Sequence, residues 1–335
     1  MPDLQQPGTG GDHYVPWEER QGEESVVYFT SDLSPQGLKK ITERVSDVLT
    51  GKTAVKLHTG EPHGPNIIPP AWVKYLLEGQ EPAHHIVETN TLYHGDRYTT
   101  AEHLQTLEIN GWTFWPVDIM DSEATTNLPV TGGKWFTEMN VGKNMLDYES
   151  MLVLTHFKGH MMGGFGGSNK NIGIGCASGH IGKRWIHSAE GNDNLWLYNG
   201  EMLMERITES TKATIDFFKD HICYVNVMRN MSVSCDCEGI EAQPVVTPNV
   251  GILASLDILA VDQACVDIVY AMKPEENHDL VERIESRHGL RQLSYMKEMG
   301  MGNDLYKLID IDNGDREIKP ADCVKNLIPF DQDNR

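Results

Sequence analysis

Short, almost uninterrupted apolar runs alternate with helically spaced stretches through the first 120 residues, and this alternation narrows the choice of fold more than any other feature. The run SVVYFTS at 25–31 predicts a strand, and Leu38, Ile41, Val45, Val48 and Leu49 then fall at helical spacing over 38–49. A second strand is expected at 53–57, followed by a Gly- and Pro-rich loop. Pro69 and Pro70 lead into a helix near 72–77, because the first turn of a helix tolerates proline. Strands at 86–88 and 114–119 flank a helix at 99–110 that ends before Gly111. Such alternation implies an α/β fold, a mainly parallel or mixed sheet flanked by helices. Runs such as 151–154, apolar throughout, fit strands buried on both sides.

Beyond Gly132 the pattern loosens, and a second, smaller lobe beginning near 125 is an expectation. A short strand with a turn is expected at 134–141, and further strands at 150–155, 222–231 and 250–255. Helices are expected at 202–219 and 257–272, the second capped by Asp257 or Ser255. The domain reading is a flexible or draped arm at 1–24, an α/β domain at 25–272 and a helical, charged extension at 273–335.

The formal net charge is −21, from 28 Lys and Arg against 49 Asp and Glu. Such a surface repels nucleic acid and anionic membrane. No run reaches the roughly 20 apolar residues of a membrane span, and the first 25 residues lack a signal peptide's apolar segment. Six sparse cysteines suit a reducing interior, so a cytoplasmic location is expected. A homodimer is the general expectation.

Against this acidic background the stretch THFKGHMMGGFGGSNKNIGIGCASGHIGKRWIH, 155–187, is locally cationic. It holds His156, His160, His180 and His187 beside Lys158, Lys170, Lys183 and Arg184. Ordering a loop so rich in glycine costs backbone entropy, and close approach of N–H groups to a ligand is the usual compensation. Gly163, Gly164, Gly166, Gly167 and Ser178 are therefore cofactor-binding candidates, and His156, His187, Lys170 and Lys183 catalytic ones. Following a strand, such a loop would occupy the rim where open α/β sheets bind ligands. GxxxxGK[ST] is absent and no dinucleotide fingerprint fits. Glu88, Asn90, Arg97, Asp118 and Asp121, at strand ends, could line the same cleft or serve as caps.

Cys235 and Cys237, in SCDCEG, would point to one side of an extended chain, with Cα atoms roughly 6.5–7 Å apart. Soft sulfur donors suit zinc or iron, and Cys176 and His160 are the further metal-ligand candidates. The absence of CxxC excludes ferredoxin-type cluster spacing.

The 155–187 block, followed by NMSVSCDC and VGILASLDILAVDQACVDIV, resembles the Fe–S centre protein family known as domain of unknown function 362, from about residue 55 to 272. Many relatives carry a ferredoxin-like insertion after the GK…H element; here His187 leads through 188–195 straight to a helix, so the resemblance implies a short form. His156, His160, Cys176, Lys183, His187, Cys235 and Cys237 match the shared pattern. Three functions follow as expectations. The first is a metal- or iron–sulfur-dependent enzyme (oxidoreductase, lyase or hydrolase) acting on an anionic small molecule. The second is a metal-free enzyme acting on a phosphorylated or carboxylated small molecule. The third is a non-catalytic metal or cluster carrier.

Overall fold

The computed structural model describes residues 12–79, 84–189, 191–327 and 330. Thirteen strands are described: β1 (Glu24–Thr30), β2 (Thr53–Lys56), β3 (His84–Glu88), β4 (Val117–Ile119), β5 (Thr125–Pro129), β6 (Glu138–Gly142), β7 (Ser150–His156), β8 (Lys158–His160), β9 (Gly164–Gly166), β10 (Ile222–Met228), β11 (Gly251–Ser255), β12 (Leu305–Asp310) and β13 (Arg316–Ile318). The helices are α1 (Pro35–Thr42), α2 (Pro70–Leu77), α3 (Thr100–Ile109), α4 (Ser168–Gly175), α5 (Gly182–His187), α6 (Gly200–Phe218), α7 (Ile258–Ala271), α8 (Pro274–Ser286), α9 (Arg291–Glu298) and α10 (Pro320–Cys323).

Nine strands form one sheet in the order β13-β12-β1-β11-β10-β7-β2-β3-β4. The run β10-β7-β2-β3-β4 is parallel, and β11 and β13 run against their neighbours. The sheet is thus mixed and mostly parallel, as the strand–helix alternation predicts. Every residue of β7 and β10 is buried, and their side chains alternate between two cores. Met151, Val153 and Tyr224 pack with α4, α6 and α7; Leu152, Leu154, Cys223 and Val225 pack with α1, α2 and α3. That period of two, without a polar face, is what a doubly covered sheet requires.

Three local expectations are corrected. The helix expected over 38–49 is α1 followed by a 3-10 turn at Ser46–Val48, because Val45 leaves helical dihedrals (φ −127°, ψ −6°) while staying buried. The segment 273–327 is not only helical: β12 pairs in parallel with β1, and β13 closes that edge. The stretch 155–187 is not a long loop: it folds into the hairpin β8–β9 and the helices α4 and α5.

Of the arm at 1–24, residues 1–11 lie outside the described residues. The rest is tied down. Tyr14 stacks on Tyr270, the Trp17 indole donates to the Tyr306 carbonyl, and Arg20 forms a bidentate pair with Asp267.

Candidate functional site

Because β2, β3, β7 and β10 run in parallel, the segments that follow them gather at one rim of the sheet. Lys56 ends β2 and Glu88 ends β3 on the adjacent strand, and their side chains meet at 2.9 Å, both almost fully buried. Arg97 stands 3.8 Å from the same carboxylate. It donates to Glu61 Oε1 at 2.8 and 2.9 Å, and Tyr93 donates to that oxygen at 2.5 Å. Burial works to raise the Glu88 carboxyl, but Lys56, His58 and Arg97 outweigh it and hold the group well below the usual carboxylate range. Burial lowers His58 and His103 to about 3, with Arg97 adding to the shift, so both rings are neutral at pH 7.

The β7 end carries a second network. His156 faces Asp236 through Nδ1 at 2.9 Å and the Arg229 carbonyl through Nε2 at 2.6 Å. Lys158 adds a contact of 3.1 Å to the same carboxylate. Both ring nitrogens of His156 are thereby engaged, which leaves none for a metal. Asp236 lies between the two candidate cysteines in sequence, so this ion pair anchors the CDC element to β7.

Above that anchor, the ligand atoms of His160, Cys235 and Cys237 all lie within 4.8 Å of one another. The expected extended geometry is not the cause: β10 ends at Met228, and Cys235 caps a 3-10 turn at Asp236–Glu241, its N–H bonded to Glu238 at 2.9 Å. The turn, not a strand, brings the thiols together. The Cys237 S–H bond to Cys235, with Lys170 and His160 nearby, lowers the Cys235 thiol well below its ordinary value against the opposing effect of burial. His160 Nδ1 accepts from the N–H groups of Met162 and Gly163 at 3.1 and 2.8 Å. Its proton therefore sits on Nε2, which points at the Cys237 sulfur at 4.0 Å. Burial, reinforced by Lys170, lowers this ring to about 4.

The glycines serve a purpose other than the expected one. Gly164 has a left-handed φ of +75°, and a Cβ there would lie 2.8 Å from the Gly289 Cα. At Gly182 a Cβ would lie 2.0 Å from the Asn140 carbonyl oxygen. Gly163 and Gly166 accommodate the Lys170 stem, whose Cδ would lie 3.5 and 3.7 Å from their Cβ positions. A Cβ on Gly167 would strike the Asp262 carboxylate at 2.4 Å. That carboxylate accepts from the Ser168 and Asn169 N–H groups at 2.7 and 2.9 Å, so the anion at the start of α4 belongs to the protein. Burial raises Asp262 to about 6. Ser178 Oγ accepts from the N–H of Gly182, the first residue of α5, at 2.9 Å.

The remaining candidates divide. Cys176 closes α4 inside the core, pushed up to about 11 by burial, and is not part of the His160–Cys235–Cys237 group. Lys183 donates to Thr89 Oγ1 at 2.6 Å and to the Asn90 carbonyl, and burial lowers it to about 8. Beyond Asn90 opens a cleft of about 330 Å³, lined also by Tyr98, Thr99, Asp121, Ser178 and His180 and not by the sulfur pair. Lys170 is half-buried and has no hydrogen bond or ion pair among the described residues. The buried Nδ1 of His187 is likewise unpartnered. Sequence reasoning missed His58, Glu61, Tyr93, His103, Asp236 and Asp262; only Asp236, between the two cysteines, carried a visible signal.

No helix among the described residues is long and apolar enough to cross a membrane. No curated protein matches the chain. The solved structures similar to it include the lactate racemase apoprotein from Thermoanaerobacterium thermosaccharolyticum, at 13% identity and a TM-score of 0.39, covering 90% of this chain and 86% of that one. A protein from Thermotoga maritima is similar at 16% identity and a TM-score of 0.37, over 59% of this chain and 51% of that one. The family model described as "Domain of unknown function (DUF362)" matches residues 53–267, from the first residue of β2 into α7, a span that holds every residue of both networks and of the sulfur group, and the chain belongs to this family.

Proposed function

We propose that the chain is a metal-dependent enzyme acting on an anionic small molecule at the rim formed by the ends of β2, β3, β7 and β10. The observation that supports this reading is the convergence of His160, Cys235 and Cys237 within 4.8 Å. Two sulfurs and one imidazole are a soft donor set suited to zinc or iron, and three protein ligands leave a position for substrate. The Cys235 thiolate fits such an ion directly, and Cys237 fits once its thiol proton leaves. His160 fits as the other neutral tautomer, with its proton moved to Nδ1 and the Met162 and Gly163 N–H groups giving up that acceptor, since ligands bind as thiolate and neutral imidazole. A metal bound there would supply Lewis acidity or, if iron, a redox couple. Lys158, Asp236 and His156 hold the CDC turn in place, and Lys170 supplies positive charge for an anion.

A second reading is favoured by one observation. A metal-bound histidine normally donates its other N–H to an acceptor, whereas His160 Nδ1 accepts two backbone N–H groups. In that tautomer the imidazole is a donor to sulfur, and Cys235 would act as a metal-free thiolate nucleophile.

Metal analysis after anaerobic purification, with cobalt(II) titration, separates the two. The first reading expects about one ion per chain, with sulfur-to-cobalt charge-transfer absorption. Both signals should vanish in Cys235→Ser and Cys237→Ser while the circular dichroism stays native. A folded wild-type protein that takes up neither zinc, iron(II) nor cobalt(II) would overturn it. Metal that passes to an apo-acceptor, with no small molecule turned over, would identify a carrier instead.

A further inference from the structure

We infer that Lys170 and His187 form an oxyanion-binding subsite beside the sulfur group, one that takes a carboxylate or phosphate headgroup bearing a hydrogen-bond donor next to its charge. This deepens the reading above and rests on the same rim, but the subsite does not need the metal in order to bind.

Two independent observations carry it. Lys170, first, is a half-buried cation with no acceptor among the described residues. In a chain with 49 acidic side chains against 28 basic ones, a carboxylate partner for a lysine is easily supplied. Arg20, Lys56, Arg97, Lys158 and Arg291 all have one. The stem of Lys170 is guided along Gly163 and Gly166, beside the His160 ring, so its position is built rather than incidental.

Second, His187 is 6% exposed, and its Nδ1 is buried with no hydrogen bond. An unpartnered buried nitrogen costs about 1–3 kcal/mol, and such groups in native structures call for an explanation. The ring is fixed by the edge of Trp196, with centroids 4.9 Å apart, and Trp196 in turn leans toward Tyr93 at 6.4 Å. Burial keeps the imidazole neutral, and Lys170 is the strongest charge acting on it. A neutral imidazole in the field of an ammonium that has no hydrogen-bonded acceptor among the described residues suits a ligand that is both anion and donor: the ammonium takes the charge, and the ring accepts the adjacent hydrogen. A carboxylate with a neighbouring hydroxyl and a monoprotonated phosphate both meet that description.

The test is calorimetric binding of two probes, glycolate and inorganic phosphate, to the full chain as purified. Saturable binding of either probe at one site is expected, and the preferred probe identifies the headgroup. Lys170→Met should weaken it at least tenfold. His187→Phe should do the same, whereas His187→Asn, which keeps an acceptor near the Nδ1 position, should retain most of it. The Asn variant separates a binding role from a packing role. Cys235→Ser with Cys237→Ser should bind the probe within about threefold of wild type, whether or not the wild type holds metal. Loss of the probe in that variant, with retention in Lys170→Met, would mean that the metal alone holds the anion, and would overturn the subsite while leaving the metal reading intact. Absence of saturable binding of either probe to the wild type would overturn it as well.

Discussion

Two buried polar clusters lie in different parts of this molecule, and they are finished to different degrees. At Asp267 every acceptor is used: Arg20 donates to both oxygens at 2.6 Å, Tyr306 to one at 2.6 Å and Gln263 to the other at 3.0 Å. At the rim, Lys170 has no acceptor, His187 Nδ1 has no partner, and two thiols share their hydrogen bond with an imidazole. Burial is not the difference, since Asp267 and His187 are 1% and 6% exposed. What differs is satisfaction. A closed network fixes the chain and offers nothing to a ligand, whereas unmet donors and acceptors are tolerated where something else meets them.

The largest expected effect breaks the closed cluster. Asp267→Ala leaves the Arg20 guanidinium buried and unpaired, which should cost about 3–5 kcal/mol. Chemical denaturation monitored by circular dichroism measures it. Metal content and anion binding should stay at wild-type levels under native conditions, because nothing in this clamp contacts the rim cluster. A loss below about 1 kcal/mol would mean that water replaces the carboxylate and the clamp is not closed.

The two clusters also differed in how far they could be read from sequence. The mainly parallel, doubly covered character of the sheet is legible from fully apolar runs such as 151–154 and the intervening helices, whereas the strand order β10-β7-β2-β3-β4 comes from the fold alone. The sulfur group was legible as residue types: His160, Cys235 and Cys237 were named and do converge. Its cause was not, because the 3-10 turn at Asp236–Glu241 depends on the contact of Asp236 with His156 and Lys158, about 80 residues earlier. The glycines misled for the same reason. Gly164 answers to Gly289 and Gly182 to Asn140, both distant partners. The Arg20–Asp267 clamp, spanning 247 positions, left no local signal at all.

Acid should separate the clusters next. His103 and His187 are held neutral by burial at about 3, so the unfolded chain, with ordinary histidines near 6.5, binds protons that the folded chain refuses. Their contribution is full above pH 6.5 and is lost as the pH falls, by up to about 1.4 kcal/mol per unit for each. Burial raises Asp262 to about 6 and also raises Asp267, which act in the opposite sense: their contribution is greatest below the unfolded carboxylate value and is lost as pH rises. Net loss of stability between pH 6.5 and 5 therefore reports on the histidines and not on the clamp. In His187→Asn the slope of unfolding free energy against pH should flatten by about 1.4 kcal/mol per unit. An unchanged slope would place His187 in contact with solvent protons and outside the closed interior.

The smallest expected effect is the most pointed. Lys170→Met keeps the aliphatic stem over Gly163 and Gly166 and removes an ammonium that has no partner among the described residues. Deleting one member of an ion pair is costly because the other is stranded; Lys170 has no hydrogen-bonded partner among the described residues, and its removal only withdraws positive charge that favours the Cys235 thiolate. The stability change should stay within about 0.5 kcal/mol, the range of ordinary surface substitutions. Chemical denaturation of Lys170→Met beside Asp267→Ala checks the pair. A loss above about 1 kcal/mol at Lys170 would reveal a structural partner for the ammonium. The rim would then be as closed as the clamp, and the contrast between the two clusters would disappear.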